Sequence, residues 1–260
     1  MRFLCLHGMG TSGRIFEAQM SQIAAAFSGQ HEFCYIDGSV ETEALAGVDN
    51  YFSGPFYCFY ELPTPSELQE AYDLIWDVIE EDGPFDGVIG FSQGGALASS
   101  FIMADARSQQ PQQPFKCAIF FCASMPFDVA SPAFTVDPTE GTCYYADTGK
   151  AIEGFDVTQS IPETASAGWS GTYDEKTQFL HRYTSPLSNP EKAKMMIPTT
   201  HVVGREDDYY KQSCALRDLC TPHNRHFMEH KLGHDIPKDR MSTTKIVNCI
   251  QQMFSDVMIG

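Results

Sequence analysis

Ser92 stands in the run Gly90-Phe91-Ser92-Gln93-Gly94, with a glycine two positions to either side of it. A serine hydroxyl is a poor nucleophile unless a neighbouring base takes its proton, an acid orients that base, and backbone N–H groups face the oxyanion that forms. Each part has a candidate. A buried strand running into Ser92 and a small-residue helix leaving it would form the sharp elbow that exposes such a hydroxyl, and this topology predicts the chain order nucleophile, acid, base. Downstream, one apolar run ends in Gly204-Arg205-Glu206-Asp207-Asp208 and another leads to Leu232-Gly233-His234-Asp235. His234 is the expected base. Asp207 is the expected acid from its offset after Gly204, with Asp208 as the alternative. Near the N-terminus, His7-Gly8-Met9-Gly10 supplies a turn beside the elbow, so the main-chain N–H groups of Met9 and Gln93 are the expected oxyanion donors. His7 is read as a brace for that turn rather than a second base.

These side chains need a scaffold. Short apolar runs at 2–6, 32–36, 87–91, 116–122, 199–203 and 225–231 alternate with helical periodicity, the pattern of a mostly parallel sheet with helices on both faces. Several runs are apolar almost throughout, as strands buried on both sides must be. The best-marked helix begins at Thr64-Pro65-Ser66-Glu67, where Thr64 caps, Pro65 fits the first turn and Glu67 completes a capping box; Gly83-Pro84 ends it. Helices are also expected over 15–27, 94–106, 211–219 and 243–257. Between Ser124 and Pro198 the periodicity fails, with no strong strand until Ile197. The stretch 125–196 is therefore read as a lid-like insertion in a single domain spanning 1–260.

Other clusters weigh less. His226 and His230 have the spacing of zinc ligands on a helix, but their surroundings read as a strand, and no metal or cofactor is expected. Asp147-Thr148-Gly149 matches the aspartic-protease triplet without the second copy that chemistry needs. The aromatic run 51–60 fits either a core hairpin or a pocket wall; in the second case Phe56, Tyr57 and Phe59 would line it.

A net charge of −17 from acids scattered along 260 residues argues against nucleic acid or an anionic membrane as partner. Nine cysteines, an odd number lying mostly in apolar runs, read as buried thiols of a reducing compartment, and a cytoplasmic location is expected. The oligomeric state has no signal in the sequence.

Beyond these readings, the chain resembles the small fungal serine hydrolases of the α/β-hydrolase superfamily over nearly its whole length. The resemblance is carried by Leu4-Cys5-Leu6-His7-Gly8, by the lead Gly83-Pro84-Phe85-Asp86-Gly87 into the elbow, and by Pro114-Phe115-Lys116, His201-Val202-Val203-Gly204 and Gly233-His234. The 51–60 run is similar to the branch encoded beside fungal polyketide synthases, whose members are discrete thioesterases or esterases. The resemblance implies an α/β-hydrolase fold and a triad of Ser92, Asp207 and His234. It also implies a polyketide acyl thioester on an acyl carrier protein as substrate, or an ester or aldehyde-derived intermediate of the same pathway. A stand-alone small-ester carboxylesterase and a catalytically silent ligand-binding protein are the competing expectations.

Overall fold

The computed structural model describes residues 1–137, 142–153, 176–183 and 194–259. In chain order its elements are β1 (Arg2–Leu6), α1 (Gly13–Ala26), β2 (Glu32–Ile36), β3 (Val40–Thr42), β4 (Phe56–Cys58), α2 (Pro65–Asp82), β5 (Gly87–Phe91), α3 (Gln93–Arg107) and β6 (Cys117–Phe121). There follow β7 (Phe127–Asp128), β8 (Phe134–Val136), β9 (Cys143–Tyr145), β10 (His181–Arg182), β11 (Thr199–Gly204), α4 (Tyr210–Asp218), β12 (Arg225–His230) and α5 (Arg240–Ile259).

Six of these strands form one sheet in the order β12-β11-β6-β5-β1-β2, and every pairing in it is parallel. Side chains alternate across a strand, so each central strand feeds two cores. In β1, Leu4 and Leu6 join Leu68 and Ile75 of α2 and Leu97 and Phe101 of α3. Phe3 and Cys5 join Phe16 and Met20 of α1 and Ile246 and Ile250 of α5 on the opposite face. Burying a phenylalanine such as Phe16 or Phe120 contributes about 2 kcal/mol before chain entropy is counted. The expected parallel sheet covered on both faces is therefore the observed one, with strand ends displaced by a residue or so.

Local chemistry explains the helix limits. Thr64 Oγ1 accepts from the Glu67 N–H at 3.2 Å, a cap worth about 1 kcal/mol. The Glu67 carboxylate reaches past the cap to the N–H groups of Glu61 and Leu62, at 2.7 and 2.9 Å, so the capping box closes one turn further back than its usual form. Gly83 ends α2, its N–H donating to Ile79 O.

The stretch after β6 differs from the sequence expectation of irregular chain up to Ile197. Its described residues hold two antiparallel pairs, β7 with β10 and β8 with β9, and a small cluster of Phe134, Val136, Cys143 and Phe179. Strands of two or three residues are too short to produce a visible period. The rest of the expected insertion, residues 138–141, 154–175 and 184–193, lies outside the described residues. The aromatic run adopts the hairpin reading: β4 pairs antiparallel with β3, and Phe59 and Tyr60 beyond it are buried.

Candidate active site

β5 is buried at all five positions and delivers the chain to Ser92 at φ 52°, ψ −115°. A non-glycine residue held in this region costs about 1–3 kcal/mol, and such strain persists only where surroundings enforce it. Here the Ser92 N–H donates to Phe121 O at 3.0 Å, and the Ser92 carbonyl accepts from Gly95 and Ala96 at 3.1 Å each. The flanking glycines permit the close approach. A Cβ on Gly94 would lie 2.2 Å from Leu6 O, and one on Gly90 would lie 2.4 Å from the Gly95 Cα. Although Ser92 occupies the cap position of α3, its side chain makes no capping bond.

Asp207 and His234 come from the ends of the two neighbouring strands β11 and β12. Their loops are tied by hydrogen bonds from Arg205 N–H to His230 O at 2.9 Å and from Glu206 N–H to Leu232 O at 3.4 Å. With the loops aligned, His234 Nδ1 lies 2.9 Å from Asp207 Oδ2, and Asp207 Oδ1 accepts the Tyr209 N–H at 2.8 Å. Burial pushes the Asp207 carboxyl up, but the hydrogen bonds to His234 and from the Tyr209 N–H outweigh it and hold the group below its ordinary value. Asp207 is thus a buried carboxylate aimed at the imidazole, whereas Asp208 is exposed. The His234 ring packs 5.0 Å from Phe91, the residue before Ser92, and 5.4 Å from Tyr209.

The turn after β1 faces the same point, since a methyl on Gly8 would come within 3.3 Å of Ser92 Cβ. His7 fixes this turn. Its Nδ1–H donates to Gly8 O at 2.7 Å and its Nε2 accepts from the Gly38 N–H at 2.9 Å. Burial lowers the His7 pKa, and with both ring nitrogens engaged it has no atom left to serve as a base. Gly10 N–H donates to Tyr57 O at 3.0 Å and Tyr57 N–H to Thr11 O, so β4 braces the turn that carries Met9. Gln93 opens α3, where first-turn N–H groups lack intrahelical acceptors and carry the positive end of the helix dipole.

Phe59 is 1% exposed and packs 4.8 Å from His7, inside the core beneath the turn. Phe56 and Tyr57 are half-buried. His226 and His230 lie on β12 as a strand, and His226 Nε2 is bonded to Asp256 at 2.6 Å.

The family model described as Serine hydrolase (FSH1) matches residues 1–246 of the chain. The chain belongs to the FSH1 serine hydrolase family. It is 30% identical to Esterase alnB of Emericella nidulans over 268 residues, covering 91% of this chain and 90% of that one. Its identity to Esterase FPY3 of Fusarium mangiferae is 28% over 264 residues, with both chains covered completely. Among solved structures, the monoacylglycerol lipase of Paleococcus ferrophilus superposes with a TM-score of 0.54 at 13% identity, covering 98% of this chain and 94% of that one. The six-stranded parallel sheet and this likeness establish the α/β-hydrolase fold, and the family makes the protein a serine hydrolase. No helix among the described residues is long and apolar enough to cross a membrane.

Two features of this FSH1-family site escaped sequence reasoning. The Gln93 side chain, considered only for its main chain, accepts from Phe59 N–H at 3.0 Å and donates to Tyr60 O at 2.7 Å, pinning the aromatic segment to the elbow. Cys122, read as a packing residue, follows β6 at φ 44° and brings its Sγ within 4.8 Å of the Asp207 carboxylate and a His234 nitrogen. Nothing in an apolar strand ending in cysteine signals that contact. Cys122, Asp207 and His234 are also a set of three donors able to hold a metal ion, but the carboxylate and imidazole already satisfy each other.

Proposed function

We propose that the protein hydrolyses an acyl thioester or ester through an acyl-enzyme on Ser92, releasing a polyketide chain in fungal secondary metabolism. The single observation that carries the mechanism is the 2.9 Å contact between Asp207 and His234 beside the strained Ser92 elbow. Asp207 keeps the His234 proton on Nδ1, which leaves Nε2 free to accept the Ser92 proton as Oγ attacks the carbonyl carbon. The N–H groups of Met9 and Gln93 stabilise the oxyanion. As it collapses, the C–S or C–O bond breaks and His234 returns the proton to the leaving thiol or alcohol. Water then attacks the ester, with His234 again taking a proton, and frees the acid and Ser92.

The half-buried Phe56 and Tyr57, hydrogen-bonded into the oxyanion turn through the Tyr57 backbone, favour a flat or apolar acyl group there. Nine free cysteines suit action in a reducing cytoplasm. A fluorophosphonate probe should label Ser92 in the folded protein. An unlabelled serine would leave the silent ligand-binding reading instead.

A second reading is a stand-alone carboxylesterase of small free esters. It is favoured by the −17 charge, which opposes docking of an acidic carrier protein. Turnover of an acyl-carrier conjugate against the matching free ester separates the two. Equal or faster rates on the free ester reject the carrier-linked role.

A further inference from the structure

Two arginines lie near the chain that follows β6: Arg107 at the end of α3 and Arg182 on β10. Arg107 Nη1 pairs with Asp128 at 3.0 Å. Arg182, on the adjoining β10, is 6% exposed, and among the described residues no carboxylate is bonded to it. One nitrogen donates to Met125 O, the guanidinium lies 4.3 Å over the Phe127 ring, and among the described residues Nε has no partner. A guanidinium cannot shed its charge in a protein, so a buried one without a carboxylate has unmet capacity for an anion.

Its position gives that capacity a use. Phe127 packs edge-on against Tyr60 at 6.0 Å, and Tyr60 O is held by the side chain of Gln93, next to Ser92. Arg182 is therefore joined to the elbow through the Phe127 ring, Tyr60 and the Gln93 side chain. Burial lowers the Arg182 pKa.

We propose that Arg182 is a substrate-recognition residue that binds anionic oxygens on the molecule whose acyl group reacts at Ser92. The proposal rests on the serine-hydrolase mechanism above and adds the substrate class: a carboxylated acyl chain, or a thioester whose pantetheine arm carries a phosphate. Arginine presents two parallel N–H groups to either anion. In a chain of net charge −17, a local cation offsets the long-range repulsion such a substrate meets.

The test compares kcat/KM for 4-nitrophenyl hemiglutarate against 4-nitrophenyl butyrate, and for S-butyryl-4′-phosphopantetheine against S-butyryl-pantetheine, in the wild type and in Arg182→Met and Arg182→Lys. The wild type should prefer the anionic member of one pair by about tenfold or more, chiefly through KM. Arg182→Met should abolish that preference while keeping turnover of the neutral partner, and Arg182→Lys should keep part of it. The pair showing the preference identifies the source of the anion. No preference in either pair, or one that survives in Arg182→Met, overturns the proposal. If Arg182→Met does not fold, the wild type decides alone: free glutarate or inorganic phosphate should inhibit butyrate ester hydrolysis competitively, and inhibition by neither overturns it. Butyrate turnover and fluorophosphonate labelling report separately on Ser92, so a failed anion preference is distinguishable from a failed mechanism.

Discussion

The Gln93 side chain bonds the backbone of Phe59, with Oε1 accepting its N–H at 3.0 Å, while Nε2 of the same amide donates to the next carbonyl, that of Tyr60. The residue after the candidate nucleophile therefore holds the β4 segment, and β4 in turn braces the turn after β1 through Tyr57 and Gly10.

Replacing Gln93 with Ala keeps its main-chain N–H but strands two buried backbone groups. Each unsatisfied group costs about 1–3 kcal/mol, so Gln93→Ala should lose about 2–6 kcal/mol in urea denaturation. Gln93→Glu keeps an acceptor for Phe59, removes the donor to Tyr60 and buries a charge, and should be at least as destabilised. Either variant matching wild-type stability would show that the clamp contributes nothing.

The Ser92 backbone sits at φ 52°, a strained conformation for a residue other than glycine. Ser92→Gly should raise stability by about 1 kcal/mol, because glycine tolerates positive φ, and Ser92→Ala should not. Both should lower turnover by several orders of magnitude, since triad members act as a unit. Thermal denaturation of the two variants side by side checks the strain argument.

The acid is tested by single substitutions. Asp207→Asn should lower kcat by about 10⁴, the loss seen in the chymotrypsin triad when the imidazole takes the wrong tautomer. Asp208→Asn, at an exposed position, should stay within a few-fold of wild type. A larger loss at Asp208 would reverse the assignment.

Burial lowers the pKa of His7 and His230 and pushes His201 down to about 3. Below the ordinary histidine value of about 6.5, the unfolded chain binds protons that the folded chain refuses, so stability must fall as pH falls. Their contribution is complete above that pH and is lost progressively below it, down to about pH 3 for His201. His201→Gln should flatten the slope of stability against pH in that window by about 1.4 kcal/mol per unit. An unchanged slope sinks this account, whatever the variant does to stability at pH 8.

The Cys122 thiol is pushed up to about 12 by burial, with the Asp207 charge adding to it, so little thiolate exists at neutral pH. N-ethylmaleimide should leave the native enzyme active and Cys122 unmodified by peptide mass mapping. In urea the same residue should be alkylated. Rapid native modification with loss of activity would show that Cys122 is open to solvent.

Much of this arrangement was readable in the residues. Strands buried on both faces leave unbroken apolar runs, so β1, β5 and β6 could be placed within a residue or so, and the elbow glycines marked Ser92 itself. Strand-end position was enough to nominate Asp207 and His234, but not to prefer Asp207 strongly over Asp208, because that difference is one of burial and not of residue type. The contacts that stayed hidden are made across the sheet by side chains with more than one ordinary use. Gln93 and Cys122 look like a helix-opening amide and a packing thiol until the fold sets Phe59 and Asp207 against them. The pairs β7–β10 and β8–β9 were invisible for a simpler reason, since two or three residues cannot display a period.

The sheet order places Gly8, Ser92, Cys122, Asp207 and His234 after the ends of five adjacent strands, with His234, the proposed base, after the outermost of them. A chain emerging from the ribosome would thus form its elbow long before it holds a histidine to arm it. On the proposed mechanism, Ser92 stays an ordinary alcohol until β12 docks and brings His234 with it. Regain of hydrolysis during refolding should accordingly lag the regain of sheet structure.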